Sequence, residues 1–161
     1  MAMIETPTLQ FEQLKMHGRM LVEVRDAVTG ELKDYQEINN LVCNIGKNMI
    51  AARLNGETVT TTGIINYLGV GTGANIPSAS DTQLQTEIAR TTVSTNSRTN
   101  NVVTITFFFG SGSANGALRE AAAFIDGTGT ANSGNIFDRV NLNVTKTSAD
   151  TLTITLIVTI T

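Results

Sequence analysis

The sequence predicts a mainly β protein, an antiparallel β-sandwich or jelly roll with two short helices and an N-terminal arm. In several segments apolar and polar residues alternate, which buries one face of a strand and leaves the other in water. Charged residues make up only 16% of the chain, and most of the polarity comes from uncharged Thr and Asn. No strand–helix alternation suggests a parallel sheet. One wet and one buried face are typical of packed antiparallel sheets.

The 161 residues are enough for one domain with its own core. We expect an N-terminal arm over residues 1–15 and a single β-sandwich domain over residues 16–161. Met1–Leu14 shows no sustained hydrophobic period and contains a Thr-Pro-Thr turn at Pro7, which favours an arm. A neighbouring molecule is expected to order it on contact.

A β-hairpin is predicted first. His17–Arg25 alternates, Asp26–Gly30 supplies a turn that ends in glycine, and Glu31–Ile38 forms the second strand. The charges of the second strand are typical of a sheet edge. The inward residues of the first strand are Met20, Val22 and Val24.

Two short helices follow from capping signals. Asn44 can cap a first helix, which Asn55-Gly56 ends. Ser80 and Gln83 have the spacing of a capping box, which predicts a second helix over Asp81–Ala89. The first helix has apolar residues at helical spacing at Met49, Ile50 and Leu54.

Four further strands are predicted from apolar runs. Ile64–Val70 indicates a buried strand that enters a glycine-rich bend. Val103–Phe109, Val140–Val144 and Leu152–Ile160 alternate with period two, and the last is the clearest. Their Thr-rich outer faces suit either assembly with other chains or simple solvent exposure, since Thr is a good strand residue.

Few residues suit chemistry. Gly69–Gly73 resembles a phosphate-cradling loop but lacks the G-x-G-x-x-G spacing and a Walker lysine, so we interpret it as a bulged strand end. His17 is the sole imidazole and is expected at the surface. Cys43 lacks a histidine partner in a known pattern and is expected to be a small buried side chain.

Acidic residues do not form a metal motif either. Asp126, Asp138 and Asp150 could offer oxygens to Ca²⁺ but lie in no D-x-[DN]-x-[DN]-G array, so we expect them to be solvated loop residues. Opposite charges suggest two ion pairs that fix the fold, Glu87 with Arg90 and Glu120 with Arg139. We therefore predict no catalytic, cofactor-binding or metal-binding residues and no cofactor.

Charge and hydropathy exclude several partners. The net charge is −3 and no segment clusters Lys or Arg, which argues against nucleic acid. The apolar runs are far shorter than the about 20 residues of a membrane span. The N-terminus lacks the pattern of a secretory signal, and a single cysteine suits synthesis in a reducing cytoplasm.

Several motifs, in order over residues 17–161, resemble a group of small virion proteins of tailed bacteriophages. The second half resembles that group's "NGTIREAG" and "LFAR" stretches and its closing Lys-Thr and strand, although Ala122 stands where the group usually has glycine. The segments that carry the resemblance are Asn40–Val42, Asn44–Asn48, Leu68–Gly73, Ser80–Leu84 with Glu87 and Arg90, Asn115–Ala121, Asn135–Val140 and Lys146–Ile160.

The resemblance implies a β-sandwich structural protein of the phage particle and no enzyme. Because the chain ends at Thr161 after a core strand, we expect a compact subunit rather than a receptor-binding fibre. Our leading expectation is a capsid decoration (cement) protein in the virion, made in the bacterial cytoplasm, homotrimeric and bound over junctions of the major capsid protein. The alternatives are a tail fibre-attachment or baseplate subunit and a carbohydrate-binding module, for which the absence of Trp is unfavourable.

Overall fold

The alternating segments form eight strands and one helix in a computed structural model, which describes residues 14–57 and 62–161. The prediction of a mainly β protein is confirmed. In chain order the elements are β1 (Met16–Asp26), β2 (Leu32–Val42), α1 (Asn44–Leu54), β3 (Ile65–Gly71), β4 (Glu87–Thr99), β5 (Val102–Phe109), β6 (Gly116–Ile125), β7 (Asn135–Lys146) and β8 (Asp150–Ile160).

The strands close into one antiparallel barrel in the order β1-β2-β7-β6-β3-β4-β5-β8, rather than the expected β-sandwich or jelly roll. β1, β5 and β8 form one half of the barrel and β3, β6 and β7 the other, and β2 and β4 join the halves because each pairs with one strand of either half. β4 pairs with β3 as far as Thr92 and with β5 from Val93 onwards. β2 pairs with β1 along its length and with β7 at Leu41 and Val42. We call this short β2–β7 junction the seam.

The inward residues predicted from alternation form the barrel core. β1, β5 and β8 line one half, β3, β6 and β7 the other, and Val103 at the barrel mouth is only partly buried. Burial of these side chains is the main term that stabilises the barrel. The most buried predicted core residues are Met20, Val22, Phe107, Phe109, Val144, Leu152, Ile154 and Leu156.

The predicted hairpin is confirmed, with its turn held by one carboxylate. The N–H groups of Val28 and Thr29 each donate to Asp26 Oδ1 over 2.9 Å. Gly30 has φ +74°, a left-handed conformation that glycine adopts without strain. These contacts set the register in which β1 and β2 pair.

The first predicted helix is α1, but its cap differs from the prediction. Cys43 is the N-cap and makes no side-chain capping bond, while Asn44 is the first helical residue and donates its N–H to Ala79 O at 2.8 Å. The helix ends at Asn55 as predicted. It lies against β7, where a Cβ on Gly46 would be 2.8 Å from the Phe137 carbonyl oxygen.

The second predicted helix, Asp81–Ala89, is wrong. Most of this segment is irregular and its end belongs to β4, which begins at Glu87. The N–H groups of Gln85 and Thr86 donate to the Glu120 carboxylate at 2.9 and 2.7 Å. A distant side chain thus takes donors that a helix would pair with its own carbonyls.

The barrel has two ends of different character. The helix end carries α1, the start of β1 and the β4–β5 turn. The turn end carries the β1–β2 turn and residues 147–149. Of the arm predicted over residues 1–15, all but Leu14 and Lys15 lie outside the described residues. Lys15 and Thr161 exchange two backbone hydrogen bonds at the helix end.

Candidate functional site

Buried charge is concentrated around Glu120 on the outer face of β6, in a set of contacts that we call the Glu120 network. The side chain is fully buried. Its carboxylate accepts hydrogen bonds from the N–H groups of Gly73 (3.1 Å), Gln85 (2.9 Å) and Thr86 (2.7 Å) and from Arg139 Nη2 (2.7 Å). These four donors match the about four acceptor positions of a carboxylate. Glu120 therefore fixes a loop and has no free position for a substrate.

Arg139 joins this carboxylate to a second one. Its Nη1 donates to Asp81 Oδ2 at 2.6 Å and its Nη2 also reaches Asn75 O at 3.3 Å. Burial by itself lowers the pKa of Arg139, but the hydrogen bonds that it donates to Asp81 and Glu120 outweigh burial and the pKa is raised. The predicted Glu120–Arg139 pair is confirmed, whereas no pattern in the sequence indicated the part played by Asp81.

The glycine-rich segment after β3 holds this internal carboxylate. A Cβ on Gly73 would lie 2.5 Å from Glu120 Oε1, and a Cβ on Gly71 would lie 2.2 Å from Thr86 O. The register shifts between Val70 and Gly71, so the predicted bulged strand end is confirmed. Glycine is needed here because two segments approach the backbone closely.

The second predicted ion pair, Glu87 with Arg90, is also confirmed, although it lies on β4 rather than on a helix. The two side chains are nearly buried and meet at 2.5 Å. Arg90 Cζ lies 4.8 Å from the ring centroid of Phe124 and 5.5 Å from that of Tyr67. Arg90 also donates to Ser133 O and Oγ, so the pair anchors the β6–β7 loop.

Asp138 was expected in solvent, and this expectation is wrong. It is fully buried in β7, where its carboxylate accepts hydrogen bonds from Ala123 N at 3.1 Å and from Asn40 Nδ2. Burial raises the pKa of Asp138 to about 7, and these two bonds only partly oppose it. A Cβ on Gly18 would lie 1.9 Å from Asn40 Oδ1, so the glycine makes room for this pair.

The other two aspartates also serve the fold. Asp150 is buried at the turn end, not solvated, and its Oδ1 lies 2.6 Å from Lys33 Nζ. The hydrogen bonds from Lys33 and Thr147 lower the pKa of Asp150 to about 2. Asp126 accepts a hydrogen bond from Thr62 N at 2.7 Å. Within residues 14–57 and 62–161, no group of three or more His, Cys, Asp or Glu could hold a metal ion.

His17 and Cys43 lie where they were expected. His17 is exposed on β1. Cys43 is fully buried, and burial raises the pKa of its thiol to about 12, so the thiol stays protonated at neutral pH.

An apolar pocket of about 630 Å³ opens at the helix end, between α1 and the β4–β5 hairpin. Its walls include Met49, Ile50 and Ile105. Arg53 and Arg98 are the charged side chains among its described lining residues. Sequence reasoning missed the pocket, because it forms where β3 and β4 separate beyond their last paired residues.

The comparison with known proteins adds no relative. The chain matches no family model, no curated protein and no solved structure. Across the described part of the chain, α1 falls well short of the length and hydropathy of a membrane-crossing helix. Function must therefore be argued from the chain's own residues.

Proposed function

We propose that this chain is a structural, non-catalytic protein of a tailed-bacteriophage virion, and specifically a decoration protein that binds over junctions of the major capsid protein. One observation carries the proposal. Segments that resemble the phage group lie far apart in the sequence, yet Gly73, Asp81, Glu120 and Arg139 meet in the Glu120 network. The resemblance therefore involves residues that depend on one another in three dimensions, which supports more than a chance likeness of short motifs.

The use of charge also supports a structural protein. Glu120, Asp138 and Asp150 all accept hydrogen bonds from other groups of the protein itself. Such contacts fix loops and leave these carboxylates poorly placed to act as general acids or bases, which need access to a substrate.

The outer face of β5 and β8 offers an uncharged surface for a partner. Thr106 Oγ1 and Thr155 Oγ1 lie 3.3 Å apart, and Phe108, which pairs with Thr153, is 47% exposed. A flat surface of hydroxyls around an exposed aromatic side chain suits contact with another protein. We propose this face, named the Thr face, as the capsid contact of each subunit of a homotrimer.

Decoration stabilises a shell by mass action. A protein that binds only the assembled shell stabilises assembly by about 2.7 kcal/mol per site when its free concentration is 100 times the dissociation constant. This mechanism requires no reaction, only a fixed surface that fits the assembled lattice.

The test is the copy number of this chain per purified particle, measured by quantitative mass spectrometry against the major capsid protein. Hundreds of copies are expected for a decoration protein. A few to a few dozen copies would instead assign it to the tail or baseplate, and absence from particles would overturn the virion proposal.

The Thr face has its own test. Phe108→Asp is expected to abolish binding to undecorated shells, whereas Val28→Asp, at a residue 93% exposed on the β1–β2 turn, keeps it. Equal binding by both variants would show that another surface makes the contact.

A further inference from the structure

We propose that the pocket at the helix end is the docking site of this chain's own N-terminal segment, residues 1–13. The pocket is large enough for several side chains, since ligand pockets of about 300–1,000 Å³ hold drug-sized molecules. Its walls are mostly apolar, and two large side chains at its edge, Leu54 and Ile64, are 78% and 59% exposed. An apolar surface of this kind indicates a partner that covers it.

The described chain begins beside the pocket. Met16, the first residue of β1, is part of the pocket wall. The 13 residues before Leu14 can span up to about 40 Å when extended. A short covalent connection gives the segment an effective concentration of about 1 mM at the pocket. This favours docking within one chain over contact with a neighbour, which the sequence had led us to expect.

The chemistry of the segment is complementary to that of the pocket. Ile4, Leu9 and Phe11 offer apolar side chains, while Glu5 and Glu12 are the only charged side chains of residues 1–13. Among the described residues that line the pocket, the charged side chains are Arg53 and Arg98, both cationic. Apolar contacts inside and opposite charges at the edge together favour this segment as occupant.

The backbone offers a further contact. β4 leaves β3 after Thr92 and pairs only with β5 from Val93 to Thr99 in the described structure. Asn96, Ser97 and Arg98 on this second half of β4 line the pocket. An extended segment can add to such a strand edge through main-chain hydrogen bonds. The inference goes beyond the proposed function, because a barrel in any role would gain from covering this pocket.

The test uses full-length protein and a labelled peptide of residues 1–13. In the double variant Leu9→Asp/Phe11→Asp, the segment should leave the pocket and the free peptide should bind there. If the peptide's dissociation constant is about 100 µM, an attached segment at about 1 mM weakens its apparent affinity about tenfold in the wild type. We therefore expect about tenfold tighter binding by the double variant, measured by fluorescence anisotropy.

Two matched controls locate the contact. Thr6→Asp/Thr8→Asp adds the same charges at polar positions and should bind the peptide as weakly as the wild type. In the Leu9→Asp/Phe11→Asp background, Leu54→Asp should abolish peptide binding. Val28→Asp, an exposed apolar residue at the turn end, should not.

Three results would overturn the proposal. They are no peptide binding by the double variant, equal binding by the double variant and the wild type, and peptide binding that survives Leu54→Asp. Sedimentation velocity decides between the chain's own segment and a neighbour's. An oligomer that dissociates in the double variant would assign the pocket to a neighbour's segment, whereas an unchanged association state supports docking within one chain. Copy number per particle is independent of all these results.

Discussion

Asp138→Asn should remove most of the pH dependence of stability between pH 4 and pH 7. The pKa of Asp138 is raised from 3.8 to about 7 by burial in the folded protein. Between these values the unfolded chain releases the proton and the folded chain keeps it, so the folded state binds more protons. The contribution of Asp138 to stability is therefore fully present below about pH 4 and is lost as pH rises to about 7. At about 1.4 kcal/mol for each pH unit, the difference corresponds to about 4 kcal/mol.

The substitution keeps the shape of the side chain and removes its ionisation. The new amide oxygen can still accept from Ala123 N. Asn40 Nδ2 now donates to Asp138, so the Asn40 amide has to turn over for its Oδ1, a buried atom with no hydrogen-bond partner in the described structure, to accept from the new amide nitrogen. We therefore expect the variant to fold and to be more stable than the wild type at pH 8, where the wild-type carboxylate is charged and buried.

Urea unfolding at pH 4.5, 6 and 8 measures the effect. The wild type should lose a few kcal/mol across this range, whereas Asp138→Asn should change little. His17→Gln removes the sole imidazole and should keep the wild-type slope. The reasoning is refuted if Asp138→Asn keeps that slope, or if wild-type stability rises between pH 4.5 and 8.

Three further perturbations test the other contacts. Glu120→Gln leaves the buried Arg139 guanidinium less neutralised, so the free energy of unfolding in urea at pH 7 should fall by about 3–5 kcal/mol. A fall of less than about 1 kcal/mol would contradict the importance of the Glu120 network. Gly71→Ala forces a Cβ against the Thr86 carbonyl oxygen and should lower the free energy of unfolding by about 1–3 kcal/mol. In Gly112→Ala the new Cβ has nothing within 4 Å, so this control should leave thermal unfolding unchanged. Asp150→Asn loses the Lys33 pair that stabilises the fold above about pH 4, so acid unfolding followed by circular dichroism should be shallower between pH 4 and 2. An unchanged acid profile would contradict that role.

The strands could be predicted because their signal is local. In β8, Leu152, Ile154 and Leu156 are fully buried, and alternate residues of one short segment suffice to show it. The closure of the strands into a barrel could not be predicted from such local patterns. A sandwich and a barrel both bury one face of each strand, and the difference here depends on distant pairs such as Leu41 with Arg139.

The second helix shows why local signals failed near the site. Ser80 and Gln83 have a capping spacing, yet the donors that follow are taken by Glu120, far along the chain. Asp138 shows the same limit. Its burial comes from the packing of β2, β6 and β7 around it, and no pattern in its own neighbourhood indicates that packing. The opposite charges of Glu120 and Arg139 were enough to predict that they pair. The geometry of the pair could be known only from the folded structure.

The seam is expected to be the first strand junction of the barrel to open. β2 and β7 share two residue pairs, whereas the other neighbouring strands share five or more. Two hydrogen bonds supplement it: Gln36 Nε2 donates to Asn143 O, and Gln36 Oε1 accepts from Asn143 N. Val42–Asp138 is one of the two pairs, so a proton-dependent group lies at the weakest junction. Native-state hydrogen exchange should therefore detect β2 separating from β7 before global unfolding, with a lower opening free energy above pH 7.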